Sequence, residues 1–134
     1  MKKTILVIGL GRLGTALCHK IIRLGHSVMA VDKTHSKVGE IADTVDLAVQ
    51  LDATDEDALS KMGAKNADIA IVAIGENLEA SVLATSILRD FGIPKIVARA
   101  QTNLHAKILA KVGANKIVFP EKDTGERLAE LLIN

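Results

Sequence analysis

A chain of 134 residues suits one domain, and at that length roughly two-thirds of the unfolded surface can be buried, enough for a real core. With 49% hydrophobic residues but neither Tyr nor Trp, that core must be made of Ile, Val, Leu and Ala, as in a parallel sheet covered by helices. A formal net charge of +1 and only two aromatics, Phe91 and Phe119, give neither the basic field nor the stacking platforms of a nucleic-acid binder.

Thr4 to Ile8 are β-branched or apolar throughout and predict a fully buried strand. Gly9-Leu-Gly11-Arg12-Leu13-Gly14 follows, and Leu13, Leu17, Ile21 and Leu24 then recur at helical spacing, predicting a helix from about Arg12 to Leu24 that stops at Gly25. Strand, glycine turn and helix together form the context a dinucleotide fingerprint requires. Gly9 allows the tight turn, Gly11 leaves the backbone bare for a pyrophosphate, and Gly14 lets the helix pack close to the strand. The helix start adds unpaired N–H groups and about half a positive charge. Cys18, the only cysteine, rides this helix as a small packed hydrophobe, so no intramolecular disulfide is possible and a reducing compartment fits. Met1-Lys2-Lys3 faintly resembles the start of a signal peptide, but the apolar run after it breaks at Gly9 and meets Arg12. No apolar segment approaches the ~20 residues of a membrane span, so the expectation is a cytoplasmic chain without direct membrane insertion.

Ser27 to Val31 is the second strand, and Asp32 follows it 18 residues past Gly14, against the roughly 20 the fingerprint expects. A carboxylate there accepts hydrogen bonds from ribose hydroxyls and repels a 2′-phosphate. Thr34 to Ala42 is a short helix, Val45 to Leu51 the third strand, and Thr54 or Asp55 caps a short helix ending at Gly63. Asp68 to Ile74 is the fourth strand and the most hydrophobic stretch, which places it at the centre of the sheet. A helix from about Leu78 to Phe91 stops at Gly92, a fifth strand runs from Lys95 to Ala98 or Arg99, and a helix from Leu104 to Val112 stops at Gly113. Lys116 to Phe119 is the sixth strand, and a last helix starts near Lys122 and still runs at Asn134. Its stripe of Leu128, Leu131 and Leu132 either folds back on its own sheet or meets a partner. Six strands alternating with helices predict a Rossmann-like doubly wound parallel sheet, ordered 3-2-1-4-5-6, over a single domain 1–134.

Ligands of such a sheet sit at the carboxyl ends of the strands where the order reverses, so the residues after each strand are the candidates. They are Gly9 to Gly14, then Asp32 and Lys33, then Asp52, Ala53 and Thr54. After the fourth strand come Gly75, Glu76 and Asn77, then Arg99 and Gln101, then Pro120 and Glu121. Thr54 and Asn77 also stand where helix caps belong, and Asp52 is either a solvated capping acid or the residue an adenine edge meets. Arg12 and Arg99 can each neutralise a phosphate, or lie idle on the surface. His19, His26, His35 and His105 have no metal-ligand spacing, and His19 and His26 are expected to be solvated. There is no nucleophile elbow, no pair of carboxylates in one loop, no Walker lysine, and no tyrosine for a reductase-type Tyr–Lys pair.

Val7-Ile-Gly9-Leu-Gly-Arg-Leu-Gly14, Gly25-His-x-Val-x-x-Val-Asp32, Asp52-Ala-Thr54, Ile71-Val-Ala-Ile-Gly75 and Gly113-Ala-x-x-Ile-Val-x-Pro-Glu121 occur in that order. Together they resemble the N-terminal domain of the regulators of K+ conductance, also called the KTN or TrkA-N domain, over essentially the whole chain. Gly75-Glu-Asn-Leu-Glu-Ala-Ser81 and Pro120-Glu-Lys-Asp-x-Gly125 resemble most the regulatory subunits of Ktr-type K+ uptake systems. The resemblance implies a homo-oligomer, a dimer or an octameric ring, that gates a membrane K+ transporter or channel from the cytoplasmic side of the inner membrane, with ATP, ADP or NAD(H) as effector. It implies that Gly9, Gly11 and Gly14 hold phosphates, that Asp32 holds the ribose, and that Asp52, Ala53 and Thr54 lie near the adenine, with Leu13 and Lys33 also among the nucleotide-binding residues. Ala73, Ile74, Gly75 and Glu76 complete the crevice, Arg12 and Arg99 meet the terminal phosphates, and Glu121 helps hold a divalent cation at a subunit interface. Two departures stand out. Leu51 replaces the glycine that many relatives carry before Asp52, and the usual second, ligand-sensing domain is absent from 1–134. The alternative is the cofactor domain of an NAD-dependent dehydrogenase, with a stand-alone NADH-sensing redox module as a third reading; a regulatory module without chemistry of its own leads both.

Overall fold

An unbroken apolar run is stable only when both its faces are covered, and β1 (Thr4–Ile8) lies in the middle of the sheet in the computed structural model, which describes residues 1–134. Around it the chain alternates as α1 (Arg12–Arg23), β2 (Ser27–Asp32), α2 (His35–Ile41), β3 (Leu47–Gln50), α3 (Glu56–Lys61), a 3-10 turn (Ala64–Asn66), β4 (Ile69–Val72), α4 (Leu78–Asp90), β5 (Lys95–Arg99), α5 (Asn103–Val112), β6 (Lys116–Val118) and α6 (Pro120–Ile133). All strand pairs are parallel, in the order β3-β2-β1-β4-β5-β6, with Leu6 level with Met29 on one side and Ala70 on the other. This is the doubly wound Rossmann-like sheet expected, and its order reverses between β1 and β4.

Alternate strand residues face opposite layers. Leu6 and Ile8 pack with Leu59, Ala84, Leu88 and Leu109 from α3, α4 and α5. Ile5 and Val7 pack with Cys18, Val38 and Ile41 from α1 and α2. Burial pushes the Cys18 thiol up to about 11, so it stays protonated and behaves as the small hydrophobe predicted. At the far end of the sheet from the glycine turn, the residue before one strand serves the strand beside it. Asp68 accepts the Thr4 N–H at 2.8 Å, Asp46 the Val28 N–H at 2.8 Å, and Asn115 the Ile96 N–H at 2.6 Å.

Several boundaries move for local reasons. β3 begins at Leu47 rather than Val45, because Val45 tucks into the core while Asp46 turns to Val28. β4 ends at Val72 rather than Ile74; the Ala73 N–H still reaches the Ile8 carbonyl at 2.7 Å before the backbone leaves the ladder. α6 begins at Pro120 rather than Lys122, since proline's fixed φ suits a first helical position and Asp123 accepts the Phe119 N–H at 2.9 Å. Asp55, not Thr54, caps α3, and the 3-10 turn behind it was not anticipated. His26, expected to be solvated, is half-buried and accepts the Lys3 N–H at 3.0 Å. The four helix stops hold: Gly25, Gly63, Gly92 and Gly113 all have positive φ. Gly113 is the most constrained, since a Cβ there would stand 2.7 Å from the Arg89 side chain.

α6 does not fold back on the sheet. It buries no residue, and Leu128, Leu131 and Leu132 are 53%, 73% and 74% exposed. By contrast α4 and α5 are tied by a polar contact in the core. His105 and Ser81 are buried, with Nε2 2.7 Å from Ser81 Oγ. The Gln101 backbone N–H donates to Nδ1 at 3.1 Å, so that nitrogen carries no proton. Nε2–H then donates to Ser81 Oγ, whose own hydroxyl donates to the Leu78 carbonyl at 2.9 Å. The tie requires a neutral ring, and burial depresses the His105 pKa. Unfolded, the ring takes up its proton at about pH 6.5; folded, it resists to lower pH. Its contribution is therefore complete above the unfolded value and is lost as pH falls below it. The urea midpoint should be lower at about pH 5.5 than at about pH 7.5, and His105→Asn should shrink that difference.

Candidate functional site

Sterics shape the glycine turn first. Gly9 takes φ +98°, and a Cβ on it would press to 3.0 Å from the Ala73 carbonyl carbon and the Ile74 nitrogen. A Cβ on Gly14 would collide with the Gly9 carbonyl oxygen, so α1 and β1 close on each other only with glycine there. Above Gly11 no atom lies within 4 Å of a built Cβ. Gly11 is also the N-cap of α1; without a side chain it makes no capping bond, and the first turn holds no acid. The N–H groups of the first turn and the positive end of the helix therefore face open space.

Beside this turn Asp32 is half-buried, with Oδ2 accepting the Leu10 N–H at 2.8 Å and Oδ1 the Thr34 N–H at 2.8 Å. Two backbone donors fix the carboxylate and leave lone pairs for hydroxyls. Gln50 of β3 steadies the neighbouring loop by donating to the Lys33 carbonyl at 3.2 Å. Asp52 Oδ1 accepts both the Thr54 N–H at 2.9 Å and the Thr54 hydroxyl at 2.7 Å, and these bonds hold its carboxyl below the usual range. Thr54 thus serves Asp52 rather than a helix, and Ala53 between them is buried.

Across the order reversal, Ala73, Ile74, Gly75 and Glu76 leave β4, and Asn77 caps α4 by accepting the Ala80 N–H at 3.0 Å. Arg99, at the end of β5, lies over Gly75; a Cβ on that glycine would stand 3.8 Å from its guanidinium. Its Nη2 donates to Glu121 Oε1 at 3.2 Å and Oε2 at 3.4 Å. The Glu121 side chain is 75% exposed, so this ion pair is weak and leaves Arg99 free to turn to another anion. Arg12 is exposed and makes no ion pair within the chain.

These residues line one open cleft of about 2080 Å³. It takes in Gly9, Gly11, Arg12, Leu13, Asp32, Lys33, Asp52, Ala53, Thr54, Ala73, Ile74, Gly75, Glu76, Arg99 and Glu121. Of the residues singled out for the site, only Gly14 lies outside it, in the helix–strand contact beneath the turn. Within the Gly9 to Gly14 turn, Leu10 acts through its backbone N–H, a role the sequence did not single out, and sequence reasoning missed the wall of Val82, Leu83 and Ser86 on α4. It also missed Lys37 on α2. No three His, Cys, Asp or Glu side chains converge anywhere, and Glu121 has Arg99 as its partner. The contact between Ser81 and His105 is not a nucleophile–base pair, because the hydroxyl proton goes to the Leu78 carbonyl and both ring nitrogens are engaged. No helix is long and apolar enough to cross a membrane.

The TrkA-N domain family model matches residues 5–120. The Ktr system potassium uptake protein C of Bacillus subtilis (strain 168) is 45% identical over 134 residues, 100% of this chain, and the chain spans 61% of that protein's length. The crystal structure of the TrkA-N domain of inner membrane protein ybaL from Escherichia coli has the same fold, with a TM-score of 0.87 at 22% identity and 98% of each chain covered. The crystal structure of GsuK bound to ADP superposes with a TM-score of 0.78 at 26% identity, covering 98% of this chain and 34% of that one. With that family match running from β1 into the first residue of α6, and with the sheet order and glycine turn that go with it, the chain belongs to the TrkA-N domain family.

Proposed function

We propose that this chain is the nucleotide-sensing module of a K+ uptake system: it binds ATP, ADP or NAD(H) in the cleft, and its occupancy gates a membrane K+ transporter or channel. The observation that carries the reading is the bare, uncapped start of α1 beneath open space at Gly11, with an anchored carboxylate on one side and two arginines nearby. The potassium uptake protein that resembles it supports the K+ system, and the ADP-bound GsuK structure supports an adenine nucleotide. In this reading the phosphates rest on the N–H groups of the Gly9 to Gly14 turn, the ribose on Asp32 beside Lys33, and the adenine near Asp52, Ala53 and Thr54. Ala73, Ile74, Gly75 and Glu76 form the opposite wall, and Arg12 and Arg99 meet the terminal phosphates. A divalent cation at Glu121 would take its remaining ligands from phosphates or from a neighbouring subunit. The module carries out no chemistry itself. It acts by differential affinity for two arrangements of a homo-oligomer, a dimer or an octameric ring, on the cytoplasmic side of the inner membrane beside its transporter.

Calorimetry with NAD and NADP tests the cleft. NAD should bind and NADP should bind far more weakly, and Asp32→Ala should cost about 1.5–3 kcal/mol of NAD or ATP affinity, the range for bonds to a charged group. Equal affinity for NADP would remove Asp32 from the ribose site.

The arginines are tested by comparing ATP with ADP. An added phosphate needs added positive charge, so the unaltered chain should prefer ATP, and replacing Arg12 and Arg99 together by Ala should bring the two affinities within about twofold. If ATP and ADP already bind alike, neither arginine reads the terminal phosphate.

The exposed leucines of α6 support self-association through that helix. Light scattering should give at least a dimer mass, and Leu128→Asp with Leu131→Asp should return a monomer with nucleotide binding intact. A monomer at every concentration and in every nucleotide would remove α6 as an interface.

A further inference from the structure

Two loops frame the far side of the cleft from Asp32. One runs from Gly75 to the first turn of α4; the other is the turn after β5, carrying Arg99 and Gln101. β6 holds the start of the second, where the Ala100 N–H donates to the Val118 carbonyl at 2.9 Å, but the residues just beyond Ala100 are open to solvent. Arg99, Gln101, Thr102 and Asn103 line a smaller recess of about 470 Å³, and Gln101, Thr102 and Asn103 are themselves exposed. One buried ring joins the two loops. His105 Nδ1 accepts the Gln101 N–H at 3.1 Å, and Nε2 meets Ser81 Oγ at 2.7 Å, one turn into α4. Thr102 caps α5 by accepting the His105 N–H at 3.0 Å, so the turn is pinned from both ends. Ser81 and His105 are 0% and 4% exposed, and no buried side-chain nitrogen or oxygen in the chain lacks a partner. A leucine could fill that space with fewer polar obligations, so the imidazole is a costly choice for filling a core. What it adds is a backbone acceptor two residues beyond Arg99.

We infer that His105 is a positioning residue of the cleft: through the Gln101 N–H it sets the turn after β5, and with it the guanidinium of Arg99, against the start of α4 anchored by Ser81. The inference rests on the proposed role of Arg99 at the terminal phosphates. His105 touches no ligand itself. A small displacement of a charged fork weakens a directional contact steeply, so the ring should govern the phosphate end of a ligand and not its adenosine end.

The test compares ATP with AMP, whose single phosphate stays at the α1 turn, and follows amide hydrogen exchange at Gln101. His105→Leu fills the space without an acceptor, while His105→Asn keeps an amide oxygen near the place of Nδ1. His105→Leu should speed Gln101 exchange and weaken ATP about tenfold while changing AMP less than about twofold, the loss expected for one charge-assisted contact. His105→Asn should restore both readouts. Ser81→Ala, a smaller change that serves if the leucine variant does not fold, should shift the ATP-to-AMP ratio in the same direction by a lesser amount. Equal losses of ATP and AMP, or a Gln101 amide as protected in the leucine variant as before, would overturn the inference and reduce His105 to a packing group. An unchanged ratio in Ser81→Ala would overturn the anchoring to α4. Arg99→Ala is run in parallel. If it leaves the ratio unchanged, the phosphate role of Arg99 has failed, and Gln101 exchange reports separately whether the ring holds the turn.

Discussion

The contact on which the rest depends is the approach of α1 to β1 at Gly14. The Gly9 carbonyl lies where a Cβ on Gly14 would be, so the helix axis can come this close to the strand only without a side chain. That approach directs the start of α1 at the point where the sheet order reverses, with Gly11 bare above it and no cap to satisfy its N–H groups. The N–H groups of that helix start have no partner within the chain and are left to solvent or a ligand. They stand at the mouth of the cleft, where a ligand phosphate can accept from them.

The rest of the cleft supplies oriented charge. Asp32 is held by two backbone donors and Asp52 by Thr54, so neither carboxylate needs to be reoriented when a ligand arrives. The arginines are arranged differently. Arg12 is unpaired, and Arg99, half-buried, is paired with the exposed Glu121, a contact that solvent keeps weak. The negative half of the cleft is preorganised and the positive half is available. That division suits a site that distinguishes ligands by their number of phosphates, and it places Glu121, the current partner of Arg99, on the first turn of the one helix that buries nothing.

α6 differs physically from every other helix. The faces of α1 and α2 cover one side of the sheet, and those of α3, α4 and α5 the other. Ile69, Ile71 and Val97 on the other face of β4 and β5 stay only half-buried, yet α6 buries no residue and its stripe stays in solvent. α6 is the part that this packing leaves uncommitted to the core.

The pattern of residues was enough for the sheet. Unbroken apolar runs at β1 and β4, glycines closing four helices and strict alternation leave one economical topology, because each of these is a local signal with its own steric or hydrophobic cause. The site was legible for the same reason: residues just past parallel strands must share one edge, and all those singled out except the buried Gly14 line one cleft. What the tertiary structure alone decided are matters of partnership. Whether the leucines of α6 fold back and whether His26 is free or bonded to Lys3 depend on which atoms arrive from distant parts of the chain. The clearest case is His105, one of four histidines with no distinguishing spacing. It was unremarkable until folding brought Ser81, 24 residues earlier, to its Nε2, because a hydrogen bond is fixed by position in space and leaves no mark in residue order.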